Sequence, residues 1–470
     1  MTTSSSRLLG RPTLVVLFLV VTLVYGMSPV AQNGDAYLYP ATAWTMVHDR
    51  TLALESFHGI EELDNHYGVG NTPSGAHVNR YPWVPALLFV PAIIVVDVVQ
   101  QLGIGRGSRA LIADGTRSNG LLQLAIAAPV TALVSVLIAL IAFERLTGEV
   151  RRRRRLALLV AFGFAFGTSA WSTVSRALWQ HGPGLVVAAT AVLLAQRLAR
   201  RQRGGHRTAA ALGAVVAIAY TARPTHALTV VAFSTWVLWQ HRQQAVAYFA
   251  GAGSVALPWL TVNQQTWKAP LPPYFSGDRI GLQPGYLEGL GGVLVSPSRG
   301  LLVFCPIVLL AAARLWRSRI RTPMDLGPLD VVLSVTFAVS IVLLAALARE
   351  AWWGGHSYGP RLLSDMLVYV AVLAVPTIDH LEARCRARKL AGRRMPAAAA
   401  LAVVALTWSV VINAQGAISR STACWNVRPD DIDEHPDRLW SWTDPQFLAA
   451  PQRLWSTKSV VAATLADDCT

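Results

Sequence analysis

Five consecutive arginines, Arg151–Arg155, stand between two long apolar runs, and they restrict the possible folds more than any other stretch. The chain is 53% hydrophobic and only 14% charged, where soluble domains carry about 25% charged residues. Apolar runs near 20 residues, parted by Arg-rich breaks, describe a polytopic all-α membrane protein. Short basic loops remain on the cytoplasmic side, so the arginine run fixes the parity of the crossings around it. The same rule accounts for the net charge of +15, which is carried by arginines between apolar runs. No basic soluble module is visible, which argues against a nucleic-acid partner.

Parity gives about eleven crossings. They are placed at 12–28, 119–143, 156–174, 184–198, 208–221, 225–240, 244–262, 300–313, 328–349, 362–378 and 396–416. The first starts after Arg7 and Arg11 and is read as an uncleaved helix with a cytoplasmic N-terminus. The apolar stretch 83–104 is a further possible span, but a crossing there would put Arg151–Arg155 outside. It also contains Pro85, Pro91 and Asp97, awkward groups in a lipid-exposed span. It is therefore expected to be re-entrant or interfacial. The first external region then covers 29–118 and a second covers 263–299. A polar tail, 417–470, follows a membrane domain of 1–416 and is also external. The matched broken helices of a secondary transporter are not seen, and there is no Walker motif.

The segment Asn33–Arg80 carries six of the 26 acidic residues. It is too long for a simple connection, and Tyr37, Tyr39, Trp44, Leu52, Leu54 and Phe57 argue that it folds. Asp35 stands just beyond the first crossing. It is either a functional carboxylate or the cap of a helix at 36–47. His181, Arg223, Arg299, His356 and Arg361 fall at the same membrane edge on this topology. Arginine is depleted there by the positive-inside rule, and Arg223, Arg299 and Arg361 each lie near glycine or proline. A guanidinium fork suits phosphate oxygens, although an arginine at a helix end also snorkels or pairs with a carboxylate. Glu55, His181, Trp353 and His356 are weaker candidates for sugar or acceptor contacts. No CxxC or HxxxH spacing exists, so no metal site is expected. Cys424 and Cys469 share the external tail and are expected to pair.

NRYPWVPALLFVPAII after an acidic first loop, TARPT, SPSRGLLVFCP, WWGGHSYGPR and CWNVRPDDIDEHPDRLWSWTDPQFL occur in that order. This series resembles the membrane glycosyltransferases of the C superfold (GT-C). It is most similar to bacterial relatives of the protein mannosyltransferases and of the lipid A aminoarabinose transferases. The resemblance implies a GT-C-like fold in a bacterial plasma membrane. The donor would be a polyprenyl-phosphate-linked sugar and the acceptor a glycan, lipid or protein on the outer face. It makes Asp35 the base and Arg223, Arg299 and Arg361 the ligands of the lipid phosphate; no cofactor is expected, and a divalent metal stays open. Asp35 is followed by Ala36 rather than by a second acid, which sets this chain apart from relatives with an Asp-Glu pair. A lipid-sugar flippase using the same arginines is the other reading.

Overall fold

The computed structural model describes residues 9–30, 34–200, 204–275, 285–313, 326–347 and 352–449. Helix α1 (Arg11–Gly26) leads into a folded segment. That segment contains α2 (Tyr39–His48), α3 (Glu61–Asp64), the antiparallel hairpin β1 (Val69–Asn71) and β2 (His77–Asn79), α4 (Val90–Gln101) and α5 (Ser108–Ala113). The bundle continues with α6 (Thr116–Arg145), α7 (Val150–Phe166), the short α8 (Ser169–Ser172), α9 (His181–Ala199), α10 (His206–Ala222), α11 (Ala227–Gln240) and α12 (Ala245–Trp267). Then come α13 (Tyr286–Val295), α14 (Leu301–Phe304), α15 (Pro328–Leu347), α16 (Leu367–Leu390), α17 (Ala397–Ile418) and α18 (Ser421–Cys424).

Seven of the described helical segments are long and apolar enough to cross a membrane. An eighth results if Val150–Phe166 and Ser169–Arg176, bent by 44°, form one span. This is fewer than eleven, for identifiable reasons. Helix α1 has 16 residues, α10 has 17 and α11 has 14, at or below the lower end of the range of about 17–25 residues usual for a crossing. The expected crossing at 300–313 is broken at Cys305, where α14 ends and Pro306 opens a 3-10 turn. Pro306 has no N–H to continue the helix ladder.

Val84–Gln101 is one of the seven, yet it packs mainly on α2 of the first loop, with smaller contacts to α10 and α5. Asp97 in α4 lies 3.2 Å from His48 of α2 and accepts a 2.8 Å bond from the Ser108 N–H. Its apolar face, with Ile94, Val95, Val98 and Leu102, is exposed. A loop-bound helix with one open apolar face suits the bilayer surface. If the segment does not cross, cysteines at Ser74 and Arg106 label from the same side, in a background lacking Cys305 and Cys385. Labelling from opposite sides would establish a crossing.

Close backbone approach sets the α10–α12 contact. A Cβ on Gly213 would lie 1.9 Å from the Tyr248 carbonyl oxygen, and one on Gly251 1.9 Å from the Ala210 oxygen. Small residues at a helix crossing are how apolar helices gain contact area in lipid, where no hydrophobic force drives them together. The bundle has two chemically distinct ends. At one, Arg145 pairs with Asp330, Arg152 with Asp379 and Glu382, and Arg197 and Arg200 with Glu144. Asp35, His181, Arg223 and Arg361 collect at the other. There a separate core of Ala36, Leu38, Tyr39, Phe57, Phe89 and Leu178 joins the first loop to the bundle.

Candidate active site

Asp35 lies in the 3-10 turn Gly34–Ala36, directly after α1. It does not cap the following helix: the N-cap of α2 is Leu38, with no side-chain cap bond. The turn is held from α6. Asn119 Nδ2 donates to the Tyr37 carbonyl at 2.9 Å and Gln123 Nε2 to the Ala36 carbonyl at 2.6 Å. Gln123 Oε1 also accepts from the Leu178 N–H at 2.9 Å. One side chain thus ties the Asp35 turn to the segment that presents Trp179.

The Asp35 carboxylate is left to its own partners. Oδ1 accepts from the Tyr67 hydroxyl at 2.8 Å and the Tyr81 hydroxyl at 2.9 Å. Oδ2 accepts from an Arg361 terminal nitrogen. Burial alone would raise the Asp35 pKa, but the Arg361 charge and the hydrogen bonds outweigh it and hold it at about 2. The two phenols move the other way. Burial and the Asp35 charge push both above the ordinary tyrosine range, so they stay protonated donors.

Arg361 stacks on Trp179, with its guanidinium carbon 3.8 Å from a ring centroid. Its Nε is buried and has no hydrogen-bond partner among the described residues. It opens the 3-10 turn Arg361–Met366, and one turn later comes Asp365, 1% exposed. Asp365 Oδ2 lies 3.0 Å from Arg223 and Oδ1 accepts from His181 Nδ1 at 2.8 Å. Arg223 also touches the His181 ring. Arg223 reaches in from the end of α10, where extended backbone and Pro224 stop the helix. His226 is fully buried beside them, and its Nε2 has no partner among the described residues. A Cβ on Gly184 would lie 2.7 Å from that nitrogen. Arg223, Arg361, His181 and Asp35 therefore form one connected site with Trp179 and Asp365.

The other expected site residues lie in different surroundings. Arg299 is fully buried, and its fork is used by neutral acceptors: Trp353 O at 3.1 Å, Ser298 O at 2.8 Å, Asn426 Oδ1 at 2.8 Å and Gln446 Oε1. It fastens the C-terminal segment to the 352–360 loop and leaves no donor for a shared anion. Arg299→Lys, which cannot reproduce the fork, should cost about 3 kcal/mol and increase protease cleavage within 417–449. Unchanged cleavage would contradict this role. Trp353 donates through Nε1 to Asp433 at 2.7 Å, and His356 Nε2 lies 2.8 Å from Asp431 and 3.6 Å from Asp433. The ligand atoms of His356, Asp431 and Asp433 are within 4.8 Å of one another, a grouping already explained by this ion pairing. Glu55 accepts from the His77 N–H at 3.0 Å and steadies the hairpin. Cys424 is disulfide-bonded, whereas Cys305 and Cys385 are free. Cys469, its expected partner, lies outside the described residues.

Tyr67, Tyr81, Trp179, Asp365, Asn119 and Gln123 were not expected from sequence. Asp365 was the most findable, since it lies four residues after Arg361 in an otherwise apolar stretch, and a buried acid there calls for a cationic partner.

No protein-family model matches the chain, and no curated protein does. Two chains of solved structures are similar. One is the Archaeoglobus fulgidus oligosaccharyltransferase, in a crystal structure tethered with an acceptor peptide containing the NVT sequon via a disulfide bond. The identity is 12% and the TM-score 0.49, over 92% of this chain and 59% of that one. The chain thus spans less than two thirds of that protein's length. A likeness of this degree establishes neither fold nor activity.

Proposed function

We propose that this protein is a membrane glycosyltransferase of the GT-C type. It moves a sugar from a polyprenyl-phosphate donor to a glycan, lipid or protein acceptor at the outer face of a bacterial plasma membrane. The supporting observation is the pairing of an ionised, buried carboxylate, Asp35, with a stacked arginine whose Nε is unused. The motif order described above points to the same class.

The chemistry follows from these groups. The acceptor oxygen attacks the anomeric carbon while the bond from that carbon to the phosphate oxygen breaks. The electron pair leaves on the phosphate, and configuration inverts. Arg361 stabilises the departing anion, with Arg223 as a second cation behind it. The acceptor proton passes to Asp35. A carboxylate with a pKa near 2 is a weak base. When the donor phosphate draws Arg361 away, Asp35 loses the partner that holds its pKa down, and its basicity rises. Tyr67 and Tyr81 keep it aimed meanwhile. His181 lines the same site. The reading places the N-terminus in the cytoplasm and the tail outside, where a Cys424–Cys469 disulfide can persist.

The deciding experiment uses purified protein in proteoliposomes with a panel of synthetic polyprenyl-phosphate hexoses and pentoses. With an envelope extract of glycans, lipids and proteins added as acceptor source, release of polyprenyl phosphate with transfer of the sugar to an acceptor hydroxyl is expected. Movement of intact lipid between leaflets with no bond cleavage would overturn the reading in favour of a flippase. Mass spectrometry of envelope glycans and glycoproteins from a deletion strain then identifies the acceptor.

A further inference from the structure

An apolar cavity of about 260 Å³ lies between α7, α16 and α17. On α16 it is lined by Leu367, Ala374, Ile378 and Cys385, residues that share one helix face. Its outer end is lined by Thr168 and Leu367. Among the described residues no cation lines the cavity itself. The opposite end is lined by Glu382, and three guanidiniums converge on this one carboxylate. Arg152 Nε is 2.7 Å away, Arg386 2.7 Å and Arg155 3.8 Å. Arg152 also holds Asp379 at 2.5 Å. Three arginines facing two carboxylates leave a positive excess at the mouth. Arg155 is 67% exposed and Arg386 47%, so both are free to turn toward another anion.

We infer that this cavity holds an acyl chain of an anionic phospholipid from the leaflet at the arginine-rich end, with its phosphate met by Arg155 and Arg386. The positive-inside rule requires arginines on that side, but not their convergence on a residue that lines an apolar cavity. A donor polyprenyl chain, whose phosphate the proposed function places at Arg361, would enter from the opposite end, and the lipid recovered in the test below distinguishes the two. Anionic headgroups are attracted to basic residues at a membrane surface by enough to change occupancy about five-fold per residue.

The test is native mass spectrometry of the full-length protein from nanodiscs of equal phosphatidylglycerol and phosphatidylcholine. Retained phosphatidylglycerol should exceed phosphatidylcholine by at least about five-fold. The double variant Arg155→Gln, Arg386→Gln should bring the ratio near one, and the matching lysine variants should keep the preference. Ala374→Phe, which fills the cavity, should reduce retention of both lipids. A wild-type measurement needs no variant to fold: phosphatidylglycerol should raise the unfolding temperature at low salt and lose the effect at 1 M salt, where screening is short-ranged. Equal retention of the two lipids, a ratio unmoved by the glutamine pair, or a salt-independent effect would overturn the assignment. So would recovery of a polyprenyl phosphate in place of phosphatidylglycerol.

Discussion

Asp35→Asn is expected to lower sugar transfer by about 10²–10⁴-fold, the range a positioned general base contributes, while donor binding is retained. Asparagine keeps the shape of the side chain and can still accept from Tyr67 or Tyr81, so the turn at Gly34–Ala36 should survive. What it cannot do is accept a proton or balance Arg361. Arg361 is then free for the donor phosphate, and donor affinity should stay the same or rise. Single-turnover assays with a donor-binding measurement separate the two effects. Equal loss of binding and transfer would mean that Asp35 orders the site rather than acting in the chemistry. The pH dependence is equally specific. A carboxylate with a folded pKa near 2, below the ordinary value of about 3.9, adds stability above the unfolded pKa. That contribution disappears as pH falls through about 2. Between pH 5 and 7 the stability of the free protein should not titrate with Asp35, whereas an acid limb in the turnover rate of the donor-bound protein would report the rise in Asp35 basicity once Arg361 is drawn to the phosphate.

Asp365→Ala is the variant expected to damage the protein most. It strands the Arg223 charge in a site where Asp365 is 1% exposed and Arg223 7%. Breaking a buried ion pair by removing one member costs about 3–5 kcal/mol. His181 loses its acceptor as well. A large fall in unfolding temperature or in yield should follow, and activity should fall with it even in the fraction that folds. Asp365→Asn should be milder, because the amide oxygen can still face His181. Unchanged stability in the alanine variant would show that Arg223 finds another counter-charge or reaches water.

The two ends of the bundle were legible in the sequence because arginine clusters mark one of them. The number of spans was less so. Helices such as α11, with 14 residues, are read as crossings by parity and fall short by length. At the site, Asp35, Arg223 and Arg361 were readable as charges at helix ends beside proline or glycine. Tyr67 and Tyr81 were not, since they reach Asp35 only when the hairpin folds back over 32 and 46 residues. Arg299 misled for a related reason. Its local pattern matches that of the other two, but Gln446, 147 residues further on, returns to occupy it. Local sequence reports a charge and its helix end; it does not report which distant polar group arrives there.

Gln123 has a consequence for how the site tolerates motion. Its amide bridges the Ala36 carbonyl and the Leu178 N–H, so the backbone next to Asp35 and the backbone next to Trp179 are held by one side chain of α6. Under the proposed function, acceptor and donor meet between these two segments. Gln123→Glu keeps the length but turns an oxygen toward the Ala36 carbonyl, and should drive those two oxygens apart. The protein would then be folded and substrate-bound, yet hold its reactants too far apart to react.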